Sequence, residues 1–220
     1  MTQKTREKLT RERVVEAALR VLDAEGIEAV TMRRVAREVG VEAMSLYNHV
    51  RDKEDLLDAV VEHVLLDFPT PDVDPSLDWS EYGWQVARGW RSVLIAHPHV
   101  LPLLAGSRSP VANPDAMLPM ETALRALREA GLSDRDAVQA FHAIGGYIFG
   151  FVLMESGQVF GTPGGGGAPG APMVDLPADQ LPCVTACLPY LLDCNFDEQF
   201  EFGLDLMIEG LRAKTGVPAR

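Results

Sequence analysis

Polar and cationic side chains cluster in one short stretch of the sequence, between Thr31 and Lys53. Hydroxyl, amide, imidazole and cationic groups occur there together, on Arg33, Arg34, Ser45, Tyr47, Asn48, His49 and Lys53. Such groups form hydrogen bonds with phosphate oxygens and with the base edges exposed in the major groove of DNA. The stretch therefore predicts a surface that binds double-stranded DNA. An ordinary helical hairpin with a polar outer face is the alternative.

The apolar residues of this stretch predict two short helices joined by a tight turn. Val35, Ala36 and Val39 recur at helical spacing, and Gly40 follows where the chain must reverse through a left-handed residue. Beyond the turn, a second apolar set predicts the inward side of the next helix: Val41, Met44, Leu46 and Val50. This arrangement is typical of a helix-turn-helix, whose second helix enters the major groove.

The stretch also resembles the DNA-binding region of the tetracycline-repressor (TetR) family, from Leu9 to about Phe68. The resemblance lies in the order GIEAVTMRRVAREVGVEAMSLYNHVRDKEDLL. It implies that phosphates are bound by Thr31, Tyr47, His49 and Lys53. It implies that the residues at or near base edges are Arg33, Ala43, Met44, Ser45 and Asn48. Because Asn48 stands where the tetracycline repressors carry an aromatic residue, the operator sequence remains open.

The charge of the chain is divided unevenly along its length. The net charge at pH 7 is −12, yet residues 1 to 53 hold 11 Lys and Arg against 9 Asp and Glu. The remainder is strongly acidic, so it should repel DNA everywhere except at the docking face. We therefore expect specific, salt-sensitive binding. The N-terminus has no apolar segment before a cleavage site, from which we expect a cytoplasmic protein without a membrane partner.

Helix signals predict how the chain is organised. A first helix runs from a Thr10 cap to Glu25, and Asp52 caps a long helix that ends near Phe68. Several prolines follow within PTPDVDPSLD and mark a boundary. We predict a helix-turn-helix domain over residues 1–52, a connector helix over 53–68 and a ligand-binding and dimerisation domain over 76–220.

No segment of the larger domain alternates in the way a strand does, so the predicted fold class is all-α, a three-helix DNA-binding domain plus a larger helical domain. The predicted helices are Trp79 to Ala96, Pro98 to Ala105, Asp115 to Ala130, Asp134 to Ser156, Asp179 to Leu192 and Asp197 to Thr215. The glycine-rich stretch from Gly161 to Pro177 lacks the lysine and hydroxyl of a phosphate loop, which favours a linker.

The nearly uniform apolar stretch from Ala137 to Met154 is long enough to suggest a membrane span, but Gln139, His142 and three glycines favour a central helix buried on most sides. Gly146 and Gly150 suit close packing within one subunit or a dimer seam equally well. The resemblance implies a homodimer whose seam contains the last two long helices. An apolar stripe on the second fits that role: Phe196, Phe200, Gly203, Leu204, Met207 and Leu211.

The larger domain also resembles the tetracycline-repressor type of C-terminal domain, through DWSEYGWQVARGWRSVLIAHPHVLPLLAGSRSP and GGYIFGFVLME. This implies a pocket for a small-molecule effector. Candidate lining residues are His63, Trp84, Trp90, Phe141, His142, Tyr147 and Met154, although core packing is the better explanation for each of them taken singly. Leu104 stands where those repressors carry a metal-binding histidine, and Met154 where they carry a glutamate. We therefore expect an apolar effector, no magnesium-tetracycline and no cofactor.

Two other classes of function compete with a ligand-controlled regulator. An enzyme could use His97, His99 or His142 as a base, but no nucleophile or metal motif accompanies them. A ligand-independent module could bind DNA or protein while its larger domain only dimerises. Our interpretation is a dimeric repressor that a small apolar ligand releases from its operator, although the sequence itself does not separate a repressor from an activator.

The chain has three cysteines, Cys183, Cys187 and Cys194. Their number and spacing favour buried packing over a disulfide framework or a metal site.

Overall fold

A computed structural model describes residues 8–71, 79–106, 113–157, 179–192 and 195–216. It contains ten α-helices and no strand in these ranges, as the sequence predicted. The helices are α1 Arg11–Glu25, α2 Met32–Val39, α3 Ala43–Leu46, α4 Lys53–Leu66, α5 Trp79–Ala96, α6 Leu101–Gly106, α7 Leu118–Glu129, α8 Asp134–Glu155, α9 Pro182–Leu192 and α10 Phe196–Thr215. The glycine-rich stretch and Cys194 lie outside the described residues.

The chain forms two compact units that do not follow the predicted domain boundaries. An N-terminal unit comprises Met1–Thr70 with Ala96–Thr122, and a body unit comprises Pro71–Ile95 with Ala123–Arg220. The segment after α5 belongs to the N-terminal unit because it packs on α1, where the His97 Nδ1 atom lies 2.8 Å from the Asp23 Oδ2 atom. The sequence placed this segment in the larger domain, since the prolines after α4 gave the only visible boundary.

Side-chain caps fix the beginning of the main helices. The Thr10 hydroxyl accepts a hydrogen bond from the Arg13 amide at 3.3 Å, and the Asp52 carboxylate accepts one from the Asp55 amide at 2.8 Å. Each cap satisfies a backbone donor that has no partner within its helix. The predicted beginnings of α1 and α4 are therefore confirmed.

The core of the N-terminal unit forms around α1. Val14, Ala17 and Leu22 are completely buried, and so are Val35 of α2 and Leu56 of α4. At the crossing of α1 with its neighbours, small and β-branched residues allow close approach of the backbones. As the sequence predicted, α1 thus supports the helix-turn-helix from behind.

The core of the body unit is formed by one side of α10, which packs against α8. Phe200 and Leu204 are fully buried within their own subunit, and the Tyr147 ring stacks on Phe200 with centroids 5.5 Å apart. The predicted use of this stripe at a dimer seam is therefore wrong. A second apolar pair of α10, Phe202 and Leu206, is exposed instead.

A nearly buried arginine joins α5, α8 and α10. The Arg91 guanidinium forms ion pairs with Glu155 at 2.8 Å and with Asp197 at 2.7 Å, and lies 4.9 Å above the centre of the Phe200 ring. Burial lowers the pKa of Arg91, but its hydrogen bonds with Glu155 and Asp197 raise the pKa above the usual value. The cation therefore stays charged and links the end of α8 to the beginning of α10.

Two predictions of burial in the body are wrong. By length and composition α8 could cross a membrane. Only 28% of its most apolar 18-residue segment is buried, however, because one side of the helix faces away from the core. That side carries Val138, His142, Gly146 and Gly150 at four-residue intervals, all exposed. Cys183 and Cys187 are also exposed rather than packed, since α9 presents most of its side chains to the surface.

Replacing Gly203 with alanine is expected to destabilise the protein. A Cβ atom there would overlap the Tyr147 ring, which is held in place because its hydroxyl donates a hydrogen bond to the Phe200 carbonyl oxygen at 2.9 Å. We expect overpacking by Gly203→Ala to lower the free energy of unfolding by about 1–3 kcal/mol. The higher helix propensity of alanine offsets about 1 kcal/mol of this loss.

Thermal unfolding at one protein concentration measures this effect. The matched control is Gly210→Ala in the same helix, where an added Cβ atom meets nothing within 4 Å. The midpoint should fall for Gly203→Ala and should not fall for the control. Equal midpoints would contradict the packing described for α8 and α10.

Candidate functional site

The helix-turn-helix consists of α2, a glycine turn and the very short α3. Gly40 has a left-handed backbone, with φ 79° and ψ 36°, and its amide donates to the Ala36 carbonyl oxygen at 2.9 Å. The predicted turn is therefore confirmed. Leu46 is fully buried and Val50 nearly so, which holds α3 against the core of the N-terminal unit.

The outer face of α3 and the turn after it carries exposed apolar and polar groups together. Met44 is 74% exposed and Tyr47 is 47% exposed, and Asn48 is exposed beside them. The apolar pattern placed Met44 on the inward side, and this was wrong because four residues give α3 only one buried position, Leu46. Ala43, Ser45 and His49 are half-buried, and so is Lys53 at the beginning of α4.

A set of hydrogen bonds between α1 and α4 holds the turn after α3. The Arg11 guanidinium donates to the His49 carbonyl oxygen at 2.8 Å and to the Asp55 carboxylate at 3.4 Å. The Arg51 amide donates to the same carboxylate at 2.8 Å. Burial raises the pKa of Asp55, but these donors outweigh burial and hold the pKa below its usual value. Asp55 thus stays ionised and joins three segments.

Arg34 differs from the other cations of this surface. Its guanidinium pairs with Glu25 at 2.7 Å and with Glu38 at 2.9 Å, and these hydrogen bonds raise the pKa of Arg34. The predicted role of Arg34 on the outer face is not supported, because its charge is already neutralised within the unit. Arg33 next to it is exposed, and the Thr31 hydroxyl accepts the cap hydrogen bond from the Arg34 amide at 3.2 Å.

The body unit contains an apolar cavity between α5, α7, α8 and α10. The space open to the centre of a water-sized sphere is about 50 Å³. Aromatic residues in its wall are Trp79, Tyr82, Trp90 and Phe141, and aliphatic residues of all four helices complete it. The Trp90 and Phe141 rings meet edge to face with centroids 6.0 Å apart. Such a cavity suits an apolar molecule.

Only two of the seven residues predicted for a ligand pocket line this cavity, Trp90 and Phe141. His63 belongs to α4 of the N-terminal unit, and His142 is exposed on α8. The Arg88 guanidinium carbon lies 4.9 Å from the centre of the Trp84 ring, and Tyr147 packs on α10. Met154 is half-buried near the end of α8 and is not part of the wall.

The sequence analysis missed Trp79 and Tyr82. Together with Gly83, Val86 and Trp90 they recur on one face of α5, a spacing that could have indicated a common surface. This spacing does not distinguish a cavity wall from a filled core, because that depends on α7, α8 and α10. Within the described ranges, no three His, Cys, Asp or Glu residues form a group that could hold a metal ion.

These features define a class of protein, a helix-turn-helix DNA-binding protein with a helical body that encloses an apolar cavity. Comparison with known families agrees with this class. Residues 14–60 match the family described as bacterial regulatory proteins, tetR family. Residues 70–215 match the tetracyclin repressor-like C-terminal domain. The chain belongs to the TetR family of bacterial regulatory proteins.

Individual relatives show the extent of this similarity. The transcriptional repressor DrrR1 of Streptomyces coeruleorubidus is 39% identical over 64% of this chain, and the match spans 52% of DrrR1, about half its length. The class A tetracycline repressor of Escherichia coli is 34% identical over 93% of this chain and 91% of its own. The structure of Streptomyces coelicolor ActR with actinorhodin is 31% identical and covers 96% of this chain and 98% of ActR, with a TM-score of 0.78.

Asp55→Asn is expected to destabilise the N-terminal unit in a pH-dependent way. Because the folded-state pKa of Asp55 is depressed, its ionic contribution is present above the unfolded value of about 4 and is lost as pH falls through the lower folded value. We expect the free energy of unfolding to fall by about 1–3 kcal/mol at pH 7, and this difference should shrink as the pH falls below about 4.

Urea unfolding at pH 7 and at pH 3 measures this difference. Asp58→Asn is the matched control, since Asp58 is an exposed acid of the same helix. The two variants should differ clearly at pH 7 and little at pH 3. If Asp55→Asn lowers the free energy of unfolding equally at both pH values, the stabilisation by Asp55 does not depend on the charge of its carboxylate.

Proposed function

We propose that the protein is a dimeric repressor that binds a near-palindromic DNA operator through α3 and leaves it when a small apolar effector occupies the body. The observation that carries this proposal is the face of α3, where Met44 and Tyr47 protrude while Leu46 anchors the helix. A short anchored helix that presents apolar and polar groups together fits the major groove, where thymine methyl groups lie beside polar base edges.

We assign two roles to the residues of this surface. Phosphate oxygens accept hydrogen bonds from the side chains of Thr31, Tyr47, His49 and Lys53. Base edges contact Arg33, Ala43, Met44, Ser45 and Asn48. The Thr31 hydroxyl supports this assignment, because it accepts the cap bond of α2 and keeps its own hydrogen for a phosphate. The Met44 side chain and the Ala43 methyl suit the thymine methyl group.

Dimerisation follows from the small size of one recognition surface. Each base contact discriminates by about 1–3 kcal/mol, so one α3 is too short to select a single operator. Two copies on a two-fold axis would place α3 in major grooves about 34–36 Å apart. The exposed stripes of α8 and α10, with Gly146, Gly150, Phe202 and Leu206, are the faces we assign to this homodimer.

The effector site that we propose is the apolar cavity of the body. ActR, a structural relative, has been solved with actinorhodin, and this makes an organic effector the natural ligand class. The effector releases the operator by preferring a conformation in which the two copies of α3 no longer match the grooves. Because coupling is reciprocal, operator DNA must weaken effector binding by the same factor. In this proposal the protein acts in the cytoplasm and performs no catalysis.

One observation favours a second candidate, a DNA-binding module whose body only dimerises. The cavity of about 50 Å³ in this conformation has room for a few water-sized spheres and not for a drug-sized molecule. An effector of several rings therefore requires the surrounding helices to separate. A body that stays closed with every compound would support the second candidate.

Fluorescence anisotropy with duplexes from the region upstream of the gene tests operator binding. We expect tight binding at two protein chains per near-palindromic site, weakened about tenfold or more by Tyr47→Ala through the loss of a phosphate contact. Tyr190→Ala is the matched control, an exposed tyrosine of α9 in the body. If random-sequence selection also yields no preferred site, the proposed function is wrong.

Lys53→Met is expected to change the salt dependence of operator binding. Each phosphate contact by a cation releases counterions, so its removal should lower the slope of log K against log salt by about 1 per chain. Lys214→Met is the control, because Lys214 is an exposed cation of α10. Equal slopes for the wild type and Lys53→Met would remove Lys53 from the phosphate contacts.

A further inference from the structure

Two glycines lie in the wall of the body cavity, one on each of two helices. Gly83 belongs to α5 and Gly145 to α8, and both are half-buried. Inside a helix, glycine is less favourable than every residue except proline, because it loses more backbone freedom on folding and packs no side chain. A glycine at such a position therefore requires a physical reason, of which close contact with another group is the commonest.

Close contact explains one glycine of the body but neither of these two. At Gly203 an added Cβ atom would overlap the Tyr147 ring. At Gly83 and at Gly145 an added Cβ atom would meet nothing within 4 Å among the described residues. The same holds for Gly210, but that residue is exposed, so the open space beside it is solvent. Alanine would therefore fit at both cavity glycines without a clash.

The open space beside Gly83 and Gly145 is the cavity itself. Glycine can line a cavity only with backbone atoms, so the backbones of α5 and α8 border the space at these two positions. Trp79 and Val86, four residues before Gly83 and three after it, both line the cavity, and two lining residues of α8 stand at the same spacing around Gly145. Residues at this spacing share one face of a helix, so a Cβ atom between them points the same way.

The wall restricts which chemical group can occupy the space. Its described side chains are aromatic and aliphatic, and none of them belongs to Asp, Glu, Lys, Arg or His. A charged group would lose its hydration there without compensation. The volume is about 50 Å³, whereas an engineered apolar cavity of about 150 Å³ holds benzene. The closed cavity therefore suits a compact, uncharged hydrocarbon group smaller than a benzene ring.

We propose that Gly83 and Gly145 set the size of the apolar group that the cavity accepts. Each leaves open a space that the methyl group of alanine would fill, and one methyl group takes up a large part of so small a cavity. The two glycines keep this space open although alanine would make both helices more stable. The proposal rests on the proposed function, in which the body cavity takes the effector, and adds the residues that limit the size of that effector.

Xenon is the probe for the test, because it is a single uncharged atom that enters apolar cavities. The chain has three tryptophans, all on α5, so a nitrogen-15 spectrum of the full-length protein contains three indole signals. Trp79 and Trp90 line the cavity and report the entry of xenon. Trp84 does not line it and is an internal reference. Thermal unfolding of the same samples measures stability.

Xenon should shift the indole signals of the two cavity tryptophans in the wild type and leave the Trp84 signal nearly unchanged. Gly83→Ala and Gly145→Ala should each lose most of this shift, because the added methyl group occupies the space. Both should raise the unfolding midpoint by about 2–4 °C through the helix propensity of alanine. Gly210→Ala is the matched control, which gains the same propensity in α10 but adds no atom to the cavity, so it should keep the xenon shift.

Three results would overturn the proposal: no xenon shift in the wild type, an undiminished shift in Gly83→Ala and Gly145→Ala, or a lower midpoint in both, which would mean that the added Cβ atoms collide. Operator anisotropy on the same samples separates this failure from a failure of the proposed function. Operator binding without any response to xenon would keep the repressor and reject the size limit. A xenon shift that both variants lose, in a protein that recognises no operator, would do the reverse.

Discussion

The shortness of α3 is the constraint on which the DNA interface depends. A helix of four residues, Ala43–Leu46, cannot hold its own conformation, because helices shorter than about 12 residues are marginal in water. Its position comes from one buried side chain, Leu46, and from Arg11, which binds the His49 carbonyl oxygen and Asp55 together. The residues that we assign to the DNA interface are therefore positioned by α1 and α4. A substitution in either helix can change affinity without touching DNA.

The body unit uses charge for the same purpose, to fix where helices end and begin. Arg91 is only 12% exposed at its side chain, and it stays buried because two carboxylates and two aromatic rings surround the guanidinium. Such a buried cation is costly unless every partner is in place, so it specifies one packing of α5, α8 and α10. Tyr147 adds a directional contact through its hydrogen bond to the Phe200 carbonyl oxygen. The cavity lies in the same helices, and this packing fixes one side of it.

Local signals predicted most of the fold, and long-range packing explains what they missed. Thr10, Asp52 and Gly40 act within four residues of their own position, so the beginnings of α1 and α4 and the glycine turn could be predicted. Met44 and the stripe of α10 were misplaced because an apolar residue does not reveal which partner covers it. Arg34 was misjudged because its partner Glu25 lies in another helix. Trp79 and Tyr82 could not be separated from ordinary core residues, since a cavity is defined by what three other helices fail to fill.

The end of α5 is where the chain passes from the body unit into the N-terminal unit. Trp79, Tyr82 and Trp90 line the cavity on this helix, which ends at Ala96. The next residue, His97, bonds to Asp23 of α1, the helix that supports the helix-turn-helix from behind. His97 and Asp23 both belong to the N-terminal unit, so this contact fixes the segment after α5 on α1 within that unit. The sequence does not reveal this contact, because its two partners lie 74 residues apart and neither stands in a local motif.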